Sequence, residues 1–193
     1  MVTATLELER VTLPKGIYTY EDYLQLPNDG KRYEIIEGVL YVANAPSFQH
    51  QHTVHQLDRQ IGNFVSEHRL GYVLPAPFEV HLSPISRPVQ PDISFIRTER
   101  ISAHSLQIFE GAPDLIVEVL SPESIRRDRV IKFTVYEATG VTEYWIANPN
   151  ARTVEVYILA QGEYASLGEF KEMETIQSQV LAGIEIAINS LFA

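Results

Sequence analysis

One acidic residue interrupts the most apolar stretch of this sequence. Residues 115–120 read Leu-Ile-Val-Glu-Val-Leu, so Glu118 stands alone among apolar side chains. A run that is apolar on both faces is typical of a β-strand covered on both sides in an α/β layered fold. An ionised carboxylate at such a place is costly unless a cation, a hydrogen-bond donor or a metal ion accompanies it. Glu118 is therefore the first candidate for a residue kept for its chemistry.

Composition and charge limit the classes of function. The chain has 193 residues, 45% of them hydrophobic and 21% charged, which suits one globular domain with a full core. It has no cysteine, which excludes disulfides and thiolate metal sites. Residues 1–10 contain no apolar run, so we expect no signal peptide, no membrane span and a cytoplasmic protein. The net charge of -10 argues against non-specific nucleic-acid binding, so such a role needs a local basic patch.

The elements that would position Glu118 follow from turn residues and apolar periodicity. Residues 19–22 read Thr-Tyr-Glu-Asp, a capping box that predicts a short helix. Residues 33–42 predict a hairpin around Glu37-Gly38, in which Glu34 pairs across from Tyr41. Apolar residues at helical spacing then predict an amphipathic helix over residues 48–68.

The second half of the chain alternates strands with one helix. Strands are predicted at 71–82, 89–96, 114–120, 142–147 and 153–159. Ser121 and Pro122 predict the cap and first position of a helix that ends near Gly140. Gln161-Gly162 predicts a final hairpin, before a tail that the pattern does not assign. We expect a single domain over residues 1–193, with its core at about 18–160 and a C-terminal hairpin and tail over 161–193.

The order from residue 48 is helix, three strands, helix and strand. With Asp92 on the second strand and Glu118 on the third, it resembles the α-β-β-β-α-β core of the PD-(D/E)XK nuclease superfamily, the restriction-endonuclease-like fold. Short motifs are more closely similar to the Uma-type family of bacterial putative restriction endonucleases over about residues 18–160. These motifs are Tyr33-Glu-Ile-Ile-Glu-Gly38, Pro46-Ser47 with His50, Gln90-Pro-Asp92, Pro113-Asp-Leu-Ile-Val-Glu-Val119 and Tyr144-Trp145. The resemblance implies a mixed α/β sheet and a metal-dependent phosphodiesterase that acts on DNA.

The implied chemistry has a physical basis in two carboxylates. Mg²⁺ takes oxygen ligands and keeps several waters, so Asp92 and Glu118 converging from neighbouring strands would suffice for Mg²⁺ or Mn²⁺. The metal would polarise the scissile phosphate and lower the pKa of a bound water. A nearby lysine could orient that water or offset developing negative charge.

The lysine departs from the superfamily pattern. It usually stands two residues after the glutamate, where this chain has Leu120. In the Uma-type family the lysine is thought to have moved to the following helix, and Lys132 matches that position. The alternative interpretation is an ordinary i,i+4 ion pair between Lys132 and Asp128, worth about 0.2–0.5 kcal/mol. Tyr136 shares the helix face of Lys132 and is interpreted as a core residue.

Two further site residues rest on the resemblance. His50 either joins the site or is a satisfied histidine at a helix start. Glu34 and Glu37 compete for one acidic role, and Glu34 is preferred because Glu37 lies in a turn, where glutamate is usually solvated. Asp114 stands too far along the strand from Glu118 to share a close metal ion, at about 3.3 Å per residue, and is interpreted as a strand-start residue.

Three arginines follow the central strand. Arg126, Arg127 and Arg129 could contact DNA phosphates as a local basic patch, or they could form a solvated helix face. Two alternatives to a nuclease remain. The acidic chain and the missing lysine favour a catalytically inactive nuclease-like fold that serves as a binding or regulatory module. The edge strands near residues 153–168 would also allow pairing with another chain, as in a homodimer or a structural oligomer.

Overall fold

A computed structural model describes residues 17–102 and 107–192 of the chain. The expectations for residues 1–10 lie outside the described residues. No helix in the described ranges is long and apolar enough to cross a membrane.

The described chain begins with a capped helical turn and a hairpin. Helix α1 (Tyr20–Tyr23) starts at Thr19, and Asp22 completes the predicted capping box. Strands β1 (Arg32–Ile36) and β2 (Val39–Ala43) are antiparallel, with Glu34 paired to Tyr41 as predicted. The turn residues Glu37 and Gly38 have φ of 52° and 70°. Two consecutive positive φ values are typical of the tight turn whose twist matches a hairpin.

Helix α2 (Phe48–His68) has the predicted bounds. The Ser47 side chain accepts a hydrogen bond from the backbone N–H of His50, which satisfies one free donor of the first turn. The buried positions share one face of the helix: His50, Thr53, Leu57, Ile61 and Val65. Their spacing of three and four residues lets that face pack on the sheet.

The remaining strands are arranged around one mixed sheet. They are β3 (Gly71–Pro75), β4 (Glu79–His81), β5 (Ile93–Arg97), β6 (Ile108–Glu110), β7 (Leu115–Val119), β8 (Glu143–Asn148), β9 (Thr153–Ala160) and β10 (Glu163–Lys171). The six-stranded sheet has the order β10-β9-β8-β7-β5-β3, in which only β7 and β8 are parallel. Strands β4 and β6 form a separate parallel pair. Pairing of the β10 edge with another chain stays a prediction.

The single strand predicted at 71–82 is wrong. The chain leaves the main sheet after Pro75, and β4 joins the small sheet instead. Pro77 lies between the two strands and has no N–H to donate to a ladder, so one continuous strand cannot form there.

The helix cap predicted at Ser121 and Pro122 is also wrong. Ser121 and Ser124 close a turn, each backbone N–H donating to the other's hydroxyl at 3.0 and 3.2 Å. The helix begins at Ile125, continues as a π-helical segment (Arg127–Lys132) and becomes α3 (Phe133–Thr139). Gly140 ends it with φ of 90°, as its sequence position predicts.

Apolar side chains cover both faces of the sheet. Alternate residues of β7 point to opposite sides, so Val117 joins the α2 cluster while Ile116 joins the cluster under α3. The C-terminal tail, with β11 (Thr175–Ile176) and β12 (Ile186–Ala187), packs on the α2 side. The prediction of a strand buried on both faces is therefore confirmed.

One buried carboxylate fastens the tail to the sheet. Glu143 on β8 accepts hydrogen bonds from Trp145 Nε1 at 2.7 Å and from the Ser178 hydroxyl at 2.6 Å. Its other oxygen accepts the backbone N–H groups of Gln179 and Val180 at 2.8 and 3.0 Å. Within residues 17–102 and 107–192 these donors have no other acceptor, so Glu143 is a structural anchor.

Candidate active site

Strand pairing brings Asp92 and Glu118 together. Ile93 of β5 pairs with Val117 of β7 in antiparallel register, so the preceding Asp92 lies opposite Glu118. The Asp92 Oδ2 atom also accepts the backbone N–H of Val119 at 2.9 Å. Both residues are buried, with exposed fractions of 3% and 1%. The placement agrees with the sequence expectation, while metal binding by these residues stays a prediction.

Lys132 enters the same cluster from the π-helical segment. Its Nζ lies 2.7 Å from Glu118 Oε1 and 2.9 Å from Glu34 Oε1, and the side chain is fully buried. In the described ranges, Lys132 forms no ion pair with Asp128, so the alternative of a surface i,i+4 pair is wrong. A buried ammonium group between two carboxylates is an ion triad, in which each charge depends on the others.

Glu34 rather than Glu37 faces the cluster. Glu34 Oε1 also accepts the backbone N–H of Gln90 at 2.8 Å, while Oε2 lies 4.0 Å from the Arg127 guanidinium. Glu37 remains in the exposed turn and accepts a hydrogen bond from the Ser86 hydroxyl at 2.8 Å. The hairpin register explains this, because Glu34 points inward from β1.

His50 lies in the first turn of α2, where the helix begins beside Asp92. Its Nε2 is 3.2 Å from Asp92 Oδ2. Burial lowers the pKa of His50, but the hydrogen bond and charge of Asp92 outweigh it, so the net shift is upward. The histidine is thus held by the candidate metal ligand as well as by its place in the helix.

Sequence reasoning missed two side chains at this cluster. Arg32 Nη1 lies 3.0 Å from Asp92 Oδ1, and the Tyr136 hydroxyl donates to Glu118 Oε1 at 2.7 Å. Arg32 lies two residues before Glu34, on the same face of β1, so strand periodicity could have found it. Tyr136 is buried, but its hydroxyl makes it more than the core residue expected.

The neighbouring carboxylates differ in how strongly they hold a proton. Burial raises the pKa of Glu118 to about 7, and the charges of Asp92, Asp128 and Glu34 act in the same direction against Lys132. Burial also raises the pKa of Asp92, but the His50 hydrogen bond and the nearby guanidinium outweigh it, and the net shift is downward. Paired carboxylates whose pKa values are driven apart are typical of sites that use the two groups differently.

The three candidate DNA-binding arginines do not form one patch. Arg126 is exposed, whereas Arg127 Nε lies 3.5 Å from Asp128 Oδ1. Arg129 makes a two-pronged contact with Glu155, one bond of which is 2.8 Å long. Two of the three guanidinium groups therefore have acidic partners within the chain.

A groove of about 1170 Å³ opens above the cluster. Residues of the hairpin, of the chain at 44–47, of the start of α2 and of the segment 121–131 line it. Asp92, Glu118 and His50 also line it. No group of three or more His, Asp or Glu within the described ranges has the geometry of a metal cage. Two carboxylate ligands still fit Mg²⁺ or Mn²⁺, because such ions complete their coordination with water.

The mixed α/β sheet has the architecture of a nuclease-like fold, and similarity to known proteins identifies the fold and the family. A solved structure described as a putative nuclease belonging to DUF820 from Anabaena variabilis matches with a TM-score of 0.76 and 23% identity, over 90% of this chain and 96% of that chain. The fold is restriction-endonuclease-like, as predicted. The Uma2 family model, described as putative restriction endonuclease, matches residues 20–189, so the chain belongs to that family. No curated protein matches it.

Proposed function

We propose that this chain is a divalent-metal-dependent phosphodiesterase that cleaves DNA, with Asp92 and Glu118 as ligands of Mg²⁺ or Mn²⁺. The observation that supports it most is the juxtaposition of these two buried carboxylates, on neighbouring strands, at a groove. Membership of a family described as putative restriction endonuclease agrees with that chemistry. When bound, the ion would polarise the phosphate and activate a water molecule.

The other buried residues then have distinct tasks. Lys132 keeps a positive charge beside Glu118, where it can offset negative charge that develops on the phosphate. Glu34 holds the Lys132 ammonium group from its other side. His50 orients the Asp92 carboxylate by its hydrogen bond. Arg126, exposed at the groove, is the arginine that we retain as a DNA contact, because Arg127 and Arg129 already have acidic partners.

One observation favours a second function, a binding or regulatory module without turnover. Both oxygens of Asp92 already have donors, from Arg32 on one and from His50 and the Val119 N–H on the other. Lys132 likewise neutralises Glu118. A cluster that balances its own charges does not need a metal ion to fold, so metal binding has to be measured.

Thermal melting with and without Mn²⁺, together with cleavage of supercoiled, linear and single-stranded DNA, tests the proposal. A metal that binds the native protein raises the melting temperature by mass action. We expect the parent protein to show this shift and to cleave DNA, and Asp92→Ala to lose both. A folded parent protein that shows neither effect would refute the nuclease and favour the module.

Asp114→Ala is the matched control. Asp114 is also a buried aspartate beside a strand of the sheet, and it also accepts a backbone N–H, that of Arg97 at 3.0 Å. Its ion-pair partner Arg100, 3.1 Å away, lies outside the cluster. The control should therefore lose stability and keep the Mn²⁺ shift, which separates loss of a ligand from loss of a buried carboxylate.

A further inference from the structure

The groove above Asp92 and Glu118 combines cations with aromatic rings. Lys31, Arg32, Tyr33 and Tyr41, at the start of and within the hairpin, all line the groove. Tyr41 lies opposite Glu34 in the hairpin and is only partly buried. Proteins that bind single nucleic-acid strands use this combination, because cations follow the phosphates while aromatic rings stack on unpaired bases.

The depth of the carboxylates limits what can reach them. Asp92 and Glu118 expose 3% and 1% of their surface, and Lys132 is fully buried. A duplex is stiff and bending it costs free energy, whereas a single strand can bend so that one of its phosphates approaches recessed carboxylates. The groove is therefore better suited to one strand than to a rigid double helix.

Two residues that line the groove also contact each other. Asn44, which follows the hairpin, donates from Nδ2 to Glu123 Oε2 at 3.3 Å, and Glu123 belongs to the turn that follows β7. Both residues line the groove, so their contact links two segments of its lining, the chain after the hairpin and the turn after β7. A thin, flexible strand can be accommodated beside such linked segments more easily than a duplex.

The charge of the protein also favours a single strand over a duplex. A surface that binds a duplex non-specifically neutralises several phosphates at once and is usually basic. This chain has a net charge of -10. Among the cations that line the groove, Lys31, Arg32 and Arg127 have acidic partners within the chain, while Arg126 is exposed. Such a lining can neutralise few phosphates, which suits a strand that enters the groove better than a duplex lying across the surface.

Three buried polar atoms of groove-lining residues lack a hydrogen-bond partner within the described residues. They are the Tyr18 hydroxyl, His50 Nδ1 and Gln90 Oε1. The His50 side chain is more than nine-tenths buried. Native proteins satisfy nearly all buried polar atoms, so a polar occupant of the groove would suit these three.

We infer that the groove takes a single DNA strand with unpaired bases, and that single-stranded DNA is preferred to intact duplex as the substrate. The inference rests on the proposed nuclease function for the identity of the nucleic acid. The bases would stack on Tyr41, and the phosphates would pass the cations towards Asp92 and Glu118.

Binding is measured without cleavage, so that it does not depend on turnover. Fluorescence anisotropy in the presence of a chelator compares a labelled oligothymidylate with a blunt duplex of the same length, at one fixed salt concentration. We expect the single strand to bind at least about tenfold more tightly. Equal or tighter binding of the duplex would overturn the inference.

Matched tyrosine variants test where the single DNA strand binds. Tyr41→Leu keeps the apolar packing but removes the ring, and we expect a loss of single-strand affinity on the order of tenfold. Tyr41→Phe keeps the ring and should keep the affinity. Tyr72→Leu changes an exposed tyrosine of edge strand β3, outside the groove, and should have no effect. Equal losses of single-strand affinity in Tyr41→Leu and Tyr72→Leu would show that the DNA does not bind in the groove, and would overturn the inference.

The binding preference and the cleavage activity can be confirmed or refuted independently of each other. Single-strand preference without Mn²⁺-dependent cleavage would support this groove assignment and refute the nuclease. Cleavage of duplex at least as fast as single strands would support the nuclease and overturn the preference inferred here.

Discussion

Replacing Lys132 by methionine distinguishes a buried ion triad from a surface ion pair by the size of the stability loss. The change keeps most of the side-chain length and removes the charge, leaving Glu118 and Glu34 without the ammonium group that lies 2.7 and 2.9 Å from them. Removing one partner of a buried ion pair costs about 3–5 kcal/mol. A surface i,i+4 pair would cost only about 0.2–0.5 kcal/mol. The pKa of Glu118, about 7, allows partial protonation at neutral pH, so we expect a loss near the lower end of the larger range.

Urea unfolding followed by tryptophan fluorescence measures this loss. Trp145 is the single tryptophan and is fully buried, so its emission reports unfolding of the sheet. Lys171→Met removes an exposed lysine from the end of β10 and is the matched control, with an expected change within about 0.5 kcal/mol. The double variant Lys132→Met with Glu118→Gln should recover part of the loss, because it removes the opposing charge as well.

The same variant separates metal binding from catalysis. A charged ammonium group has no lone pair and cannot bind a cation, so Lys132→Met should still bind Mn²⁺ in calorimetry. Cleavage should fall by about 10²-fold or more, the usual scale for removal of a positioned electrostatic group. A stability loss no larger than that of Lys171→Met would refute the buried triad, and cleavage at the parent rate would refute a catalytic role for Lys132.

Two further substitutions test the contacts around the sheet. Tyr136→Phe removes a hydroxyl that donates to Glu118 at 2.7 Å, and should cost about 1.5–3 kcal/mol in urea unfolding; no loss would mean that this hydrogen bond does not form. Glu143→Gln replaces an acceptor of four hydrogen bonds with a group that both accepts and donates, so we expect a loss of about 1–3 kcal/mol and faster proteolysis of the tail near Val180. Unchanged stability and proteolysis would contradict the anchoring role of Glu143.

Regular elements could be predicted from the sequence because their patterns repeat. Helix α2 has apolar residues on one face over five turns and Ser47 as its cap, so residues 48–68 were predicted correctly. The hairpin was predicted because Glu37-Gly38 forms a two-residue turn, which sets the register of Glu34. Strand β7 was predicted from apolar residues on both faces, and Glu118 was noticed because it breaks that run.

The partners of Lys132 could not be predicted from local pattern. An α-helix places residues 128 and 132 one turn apart, which favoured the pair with Asp128. The π-helical segment has a different number of residues per turn, so the directions of its side chains differ from that expectation. Glu34 and Glu118 come from strands distant in sequence, and only the folded sheet brings them to the same ammonium group. Arg129 likewise has its acidic partner, Glu155, on a strand distant in sequence.

Three of the places where local pattern failed border the groove. Pro77 interrupts the strand predicted at 71–82, and Ser121 closes a turn instead of capping a helix. The π-helical segment replaces regular helix. Residues from each of these three places line the groove. The Tyr144 hydroxyl donates to the Asp128 carbonyl within the π-helical segment at 3.0 Å, so the irregular turn is held by the sheet below it. Irregular backbone of this kind is retained where function requires a particular side-chain placement, and π-helical turns are frequent at functional sites. The position of these irregularities therefore supports the groove as the functional surface independently of the buried carboxylates.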